Sequence, residues 1–280
     1  MKIAKGQRML PQSRTQGETE YLIFPKLEKT KVVEHLFSTR LGGVSKEHLS
    51  SMNLSFTRGD REEYVRENYR RIAAVLNCQV DDFVFSHQTH TTNVRVVTSQ
   101  DKGKGLTKPL DYQDVDGLVT KEEGLVLSTF YADCVPLFFV DPAARVIGLS
   151  HSGWRGTVGR IGAKTIELMV EQGADRKNIR AAIGPSICQS CYEVGEDVAQ
   201  SFMTQFGGQE EEILVSKGKG KYLLDLWKAN KIVLDEAGIL PEHMEITNLC
   251  TCCNPQYLFS HRASKGMRGN MGAFLKLKKS

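Results

Sequence analysis

No run of apolar residues in this 280-residue sequence reaches the length of a membrane span. The first twenty residues, MKIAKGQRMLPQSRTQGETE, hold no apolar core of signal-peptide length. The expected location is therefore cytoplasmic, with no membrane partner. Internal repeats, low-complexity tracts and linkers are missing too, which argues for one domain. Net charge is only +4, too small to argue for nucleic acid, although the basic bias suits an anionic ligand. There is no Walker A motif, no G-x-G-x-x-G after a strand, and no His-x-Glu with Pro-Cys-x-x-Cys. The seven histidines are dispersed and include no His-x-His pair, which argues against a multicopper centre. In a reducing cytoplasm the seven cysteines are free thiols, available for metal binding, catalysis or packing.

What is present centres on Tyr131 to Thr157, YADCVPLFFVDPAARVIGLSHSGWRGT. VPLFFV and VIGLS read as two buried strands joined by a tight turn at Pro142. Such a hairpin brings Cys134, at the start of one strand, close to His151, at the end of the other. A glycine-punctuated loop then opens a helix expected to begin at Thr157 and close at Gly173, with Gly159 and Gly162 marking close packing. The competing reading is a core hairpin with a buried thiol and a hydrogen-bonded imidazole.

Around this hairpin, residues 1–20 read as a flexible N-terminal arm and 21–280 as a single catalytic domain. Strands are expected over 21–25, 32–40, 115–120 and 124–132, with a long Gly/Ser loop over 41–55. Asp60 reads as the cap of a helix whose apolar face includes Tyr64, Val65, Tyr69 and Ile72. In the tail, a basic glycine loop is expected between two strands. Hairpins come early and helices late, without a βαβ rhythm. That pattern points to an α/β fold with a mixed β-sheet flanked by helices.

Four constellations could carry chemistry. His90, Cys134 and His151 give two imidazoles and one thiolate with a fourth tetrahedral position open, the pattern of catalytic zinc; copper could use the same ligands. Alternatively, Cys134 and His151 form a metal-free nucleophile and base. Cys188-x-x-Cys191 with Cys250, Cys252 and Cys253 could make a four-thiolate structural site. Its second half, Cys-Thr-Cys-Cys, reads as a poor knuckle without the usual two-residue gap, which favours scattered buried thiols. Finally, glycine-flanked Arg40, Arg155 and Arg268, together with Arg262, could hold a phosphate or carboxylate; singly, each fits a surface ion pair.

At these residues the chain resembles the YfiH/YlmD family of laccase-domain or polyphenol-oxidase proteins, also known as purine nucleoside phosphorylases. The matching stretches include Ser38-Thr-Arg-Leu-Gly-Gly, Asn53-Leu-Ser, Gln88-Thr-His90, Asp116-Gly-Leu-Val-Thr, Ala132-Asp-Cys-Val-Pro-Leu, His151-Ser-Gly-Trp-Arg-Gly-Thr and Phe259-Ser-His-Arg. The resemblance implies one zinc held by His90, Cys134 and His151; Arg40, Asn53, Arg155 and Arg262 are the candidate substrate-binding residues. It implies phosphorolysis of adenosine, inosine and methylthioadenosine, with adenosine deamination as a second reaction. The implied fold is a mixed-sheet sandwich like the catalytic domain of cytotoxic necrotizing factors. One departure is Arg262-Ala263, where the family often has paired arginines. Asp116 and Asp133 are candidate general acids. The rival readings are a metal-free Cys/His hydrolase or amidase, a copper-dependent polyphenol oxidase, and a structural zinc protein without enzymatic activity. No obligate protein partner is expected.

Overall fold

A computed structural model describes residues 11–279. The chain opens with a hairpin of β1 (Gln12–Gln16) and β2 (Thr19–Ile23), a short α1 (Pro25–Glu28) and β3 (Val33–Ser38). The expected N-terminal arm is thus strand from Gln12 onward, because β1 pairs along its whole length with β2; residues 1–10 of that expectation lie outside the described residues. The Gly/Ser loop leads to α2 (Glu62–Val75), which starts after Arg61 with no side-chain cap. Asp60 does not cap it: its Oδ2 accepts from Ser45 and Asn53 instead, so the carboxylate ties down the loop. Then come β4 (Phe83–Phe85), β5 (Val94–Val96), β6 (Gly117–Thr120) and β7 (Val126–Tyr131).

The central hairpin is β8 (Val135–Asp141) and β9 (Val146–Ser152), antiparallel as expected. The helix after it is two: α3 (Trp154–Val158) and α4 (Ile161–Glu171). Arg160 adopts φ +60 between them and breaks the ladder. A Cβ at Gly159 would lie 2.4 Å from Thr92 Cγ2, and one at Gly162 would lie 2.9 Å from Leu234 Cδ2, so both glycines mark the expected close packing. The remainder is β10 (Arg180–Ile183), β11 (Glu193–Gly195), α5 (Glu196–Gln205), α6 (Glu210–Ile213), β12 (Leu214–Gly218), β13 (Lys221–Leu224), α7 (Leu226–Glu236) and β14 (Met244–Ile246). In the tail, α8 (His261–Ser264) stands where a strand was expected before the basic loop, and β15 (Met271–Leu277) follows it.

Two six-stranded mixed sheets stack face to face, in orders β1-β2-β3-β15-β7-β4 and β14-β10-β8-β9-β6-β5; a small β11-β13-β12 sheet stands beside them. Side-chain alternation along β8 explains why its sequence is apolar throughout. Phe138 and Val140 face the other sheet, beside Phe37, Leu127 and Leu275. Val135, Leu137 and Phe139 face the layer of α4 and α7, beside Ile166, Met169 and Val233. On the outer face of the first sheet, Val65, Tyr69 and Ile72 of α2 cover Leu36, Phe83 and Phe274. The result is a single-domain α/β sandwich with helices on both outer faces. Among the described residues, no helix is long and apolar enough to cross a membrane.

Candidate functional site

Hairpin register sets the first two site residues. Pro136 stands opposite His151, and Val135 opposite Ser152, so Cys134 enters the hairpin next to the imidazole. The third residue arrives by another route. Asp116, fully buried at the start of β6, draws the 89–91 loop around its carboxylate. Oδ2 accepts from Thr89 N (3.1 Å), Thr91 N (2.9 Å) and Thr91 Oγ1 (3.0 Å), and Oδ1 accepts from His90 N (3.1 Å). The same Oδ1 lies 2.8 Å from His151 Nδ1, and the Asp116 carbonyl accepts from His151 N at 2.8 Å. One carboxylate therefore positions both histidines. His90 sits at φ +65 and Asp133, beside Cys134, at φ +90, two left-handed non-glycine residues at one site.

His90 Nε2 is 3.9 Å from Cys134 Sγ, and the two imidazole rings lie 5.0 Å apart at 77°. Gly153 passes so close that a Cβ there would fall 2.9 Å from His90 Cδ2 and 3.2 Å from Cys134 Sγ. Burial opposes ionisation of the Cys134 thiol, but His151 and His90 outweigh it and bring its pKa down to about 6. Burial likewise disfavours the charged His151, yet the sulfur and Asp116 raise it to about 9. Asp116 is opposed by burial too, and its bonds to His151 and the loop amides hold it below the ordinary carboxylate range.

The three residues line the floor of a cavity of ≈ 760 Å³. Arg155 and Arg262 also line it. Arg40 and Asn53 do not. The Arg40 guanidinium donates to the carbonyls of Ser50 (2.8 Å) and Pro255 (2.6 Å) and stacks on Phe259, so it staples loops together. Asn53 is buried and accepts from Ser55 N and Asn270 N, both at 3.0 Å. Neither candidate acid has a free carboxylate. Asp116 is buried beneath the histidines, and Asp133 accepts from Thr251 Oγ1 (2.6 Å) and Arg262 N (2.7 Å).

Sequence reasoning missed Arg58 and His261, and it placed Arg268 in an anion loop without choosing it for the site; all three line the cavity. Arg268 loses affinity for its proton first through burial and then through Arg58, reaching a pKa of about 10. His261 is lowered by burial and by Arg268, Arg58 and Arg262. The arginines repel one another and disfavour charge on His261, and the carboxylate among them, Asp133, is already bonded. The Arg-Gly-Asp run after Phe56 and the Gly-Met-Arg-Gly loop were the available signals. Phe85 and Phe130, packed edge to face at 4.8 Å, form an aromatic wall.

The donor set fits a metal. His90, Cys134 and His151 offer ligand atoms all within 4.8 Å of one another. Around a tetrahedral zinc, nitrogen and sulfur ligands stand about 3.6 Å apart, close to the His90–Cys134 separation. His151 Nδ1 is committed to Asp116, which leaves Nε2 for a metal, the usual carboxylate–histidine arrangement. The copper clusters of an oxidase are another matter: among the described residues, which include all seven histidines, only this group combines histidine ligands.

A family model described as "Multi-copper polyphenol oxidoreductase laccase" matches residues 34–278. A purine nucleoside phosphorylase from Deinococcus radiodurans is 40% identical over 245 residues, covering 88% of this chain and 89% of its own length. Purine nucleoside phosphorylase YlmD of Bacillus subtilis is 34% identical over 246 residues, covering 87% and 88%. A protein named adenosine deaminase, from an unknown prokaryotic organism, is 36% identical over 241 residues, covering 85% and 92%. Among solved structures, the Bacillus licheniformis hypothetical protein YfiH superposes with a TM-score of 0.89 at 32% identity, covering 95% of this chain and 99% of its own. On the family match and these identities, the chain belongs to the laccase-domain family of YfiH and YlmD.

Proposed function

We propose that this chain is a zinc-dependent purine nucleoside phosphorylase. It takes adenosine, inosine or methylthioadenosine and phosphate to the free base and the ribose 1-phosphate, and it deaminates adenosine as a second reaction. It acts in the cytoplasm on small molecules and needs no nucleic acid, membrane or obligate protein partner. The observation that carries this reading is a single cavity joining a His90/Cys134/His151 floor to a cluster of cations with no free carboxylate. The names of its relatives support the same chemistry.

In phosphorolysis a phosphate oxygen bonds to ribose C1′ and the C1′–N9 bond breaks. The electron pair leaves with the purine, which takes up a proton. Arg58 and Arg268 would bind the phosphate, whose negative charge relieves their mutual repulsion, while Arg262, whose guanidinium donates to the carbonyls of Cys191 (3.2 Å) and Glu193 (3.0 Å), adds positive charge from the wall. Phe85 and Phe130 would stack the base and exclude water beside it. Zinc, when bound by His90, Cys134 and His151, supplies Lewis acidity at the floor. Asp116 keeps the proton on His151 Nδ1 and so fixes the face that the ring presents.

Inosine and phosphate incubated with the protein are expected to yield hypoxanthine and ribose 1-phosphate, measured by chromatography. Cys134→Ala should lose at least about 100-fold in turnover, and Arg58→Ala should raise the KM for phosphate about 10-fold. Equal product from Cys134→Ala would sink the reading. A metal-free Cys/His hydrolase draws on one specific observation, the Cys134–His151–Asp116 series with its lowered thiol pKa. Activity that survives complete metal removal would favour that alternative.

A further inference from the structure

Away from the cavity floor, the fold gathers four more thiols. Cys188 and Cys191 flank a turn between β10 and β11, and Cys250 and Cys253 flank a turn after β14. Their sulfurs all lie within 4.8 Å of one another. Cys253 Sγ is 3.4 Å from Cys191 Sγ and 4.0 Å from Cys188 Sγ. The expectation of scattered thiols is therefore corrected. It rested on treating Cys-Thr-Cys-Cys as a run of adjacent residues. Cys250 and Cys253 are in fact separated by Thr251 and Cys252, so both halves have the regular Cys-x-x-Cys gap.

We propose that Cys188, Cys191, Cys250 and Cys253 bind a second, structural zinc ion. Four sulfurs bonded to zinc stand about 3.8 Å apart, and the separations of 3.4 and 4.0 Å straddle that value. Sulfurs this close leave no room for a polynuclear iron–sulfur cluster. A disulfide would single out one pair, whereas Cys253 approaches two partners at once. The backbone is arranged around sulfur as well. Cys188 N (3.2 Å) and Cys253 N (3.4 Å) both point at Cys250 Sγ, the pattern of amide support for a thiolate ligand. Cys188 and Cys250 are buried, and Cys191 and Cys253 only partly so, which closes the site to substrate while leaving an entry for the ion. All four positions being protein thiols, no coordination site remains open, as in structural rather than catalytic zinc.

The two turns are already zipped by backbone bonds between Ser186 and Leu249 and between Thr251 and Ser186. They also support the cavity wall. Cys191 O accepts from Arg262 at 3.2 Å, and Ile187 and Tyr192 line the cavity beside it. A metal there clamps two loops that no long strand pairing joins.

Metal content by mass spectrometry, on protein purified without chelator, tests this. Wild type is expected to carry two zinc ions per chain. Cys188→Ser/Cys191→Ser should carry one and melt at a lower temperature; His90→Ala/Cys134→Ala should also carry one. Cys252→Ser, outside the ligand set, should keep two. If the double-serine chain does not fold, cobalt-substituted wild type serves instead, and intense sulfur-to-cobalt charge-transfer absorption from a four-thiolate site is expected even in His90→Ala/Cys134→Ala. One zinc per wild-type chain that disappears in His90→Ala/Cys134→Ala would overturn the proposal. So would iron at the cysteines, or a disulfide among them in protein kept reduced.

Discussion

Asp116 is the residue on which the site depends most, though it does not line the cavity. It holds His151 Nδ1 and the amides of Thr89, His90 and Thr91 together, so it sets the spacing between two histidines that are 61 positions apart in sequence. Asp116→Asn keeps the size but removes the charge, and zinc affinity measured against a competing chelator should fall about 10–100-fold. Cys134 offers a second test at this scale. With its thiol near a pKa of about 6, metal-free protein should be alkylated by iodoacetamide with a rate that rises through pH 6 and levels off before pH 9. A rate that climbs only near pH 9, as for an ordinary thiol, would contradict the geometry of the imidazole pair.

At the scale of elements, the β8–β9 hairpin and the short helix α3 meet at Gly153. The chain turns there against His90 and Cys134, and a Cβ would push on both side chains. Gly153→Ala is expected to lower zinc affinity about 10-fold with only a small change in melting temperature, since the residue touches the site and not the core. A large loss of stability without a change in affinity would show that the position matters for folding alone. The hairpin itself was legible in the sequence: two apolar runs around Asp-Pro, with Cys and His at matching ends. The break between α3 and α4 was not, because Arg160 at φ +60 leaves no composition signal. The strand β1 was equally hidden, since all five residues are exposed and its sequence is polar.

For the whole molecule, the sheet–sheet interface ties stability to pH through His35. Its ring is buried against Phe24 and Phe138, and Nε2 accepts the Phe24 N–H at 2.8 Å. Burial pulls its pKa from 6.5 down to about 3. Between those values the unfolded chain binds a proton that the folded chain does not. His35 therefore makes stability fall as pH drops through that window, by about 1.4 kcal/mol per pH unit. Denaturant melts from pH 7 to pH 4 should show this slope, and His35→Gln should flatten it. An unchanged slope in the variant would assign acid sensitivity to other groups.

What the sequence by itself determined is local: the apolar runs, the turn at Pro142, the Cys134 and His151 ends of one hairpin, and the presence of two imidazoles and a thiol of the kinds that could hold a metal. Those follow from periodicity and from residues close in the chain. Tertiary structure alone decided which distant residues meet. It brought Arg58, Arg262 and Arg268 into one cavity and turned Arg40 and Asn53 away into loop packing. It also closed two Cys-x-x-Cys turns, 62 residues apart, onto a single point. The reason is physical: a side chain's type sets what it can bind, whereas its partners are set by the stacking of two sheets, which no local pattern encodes.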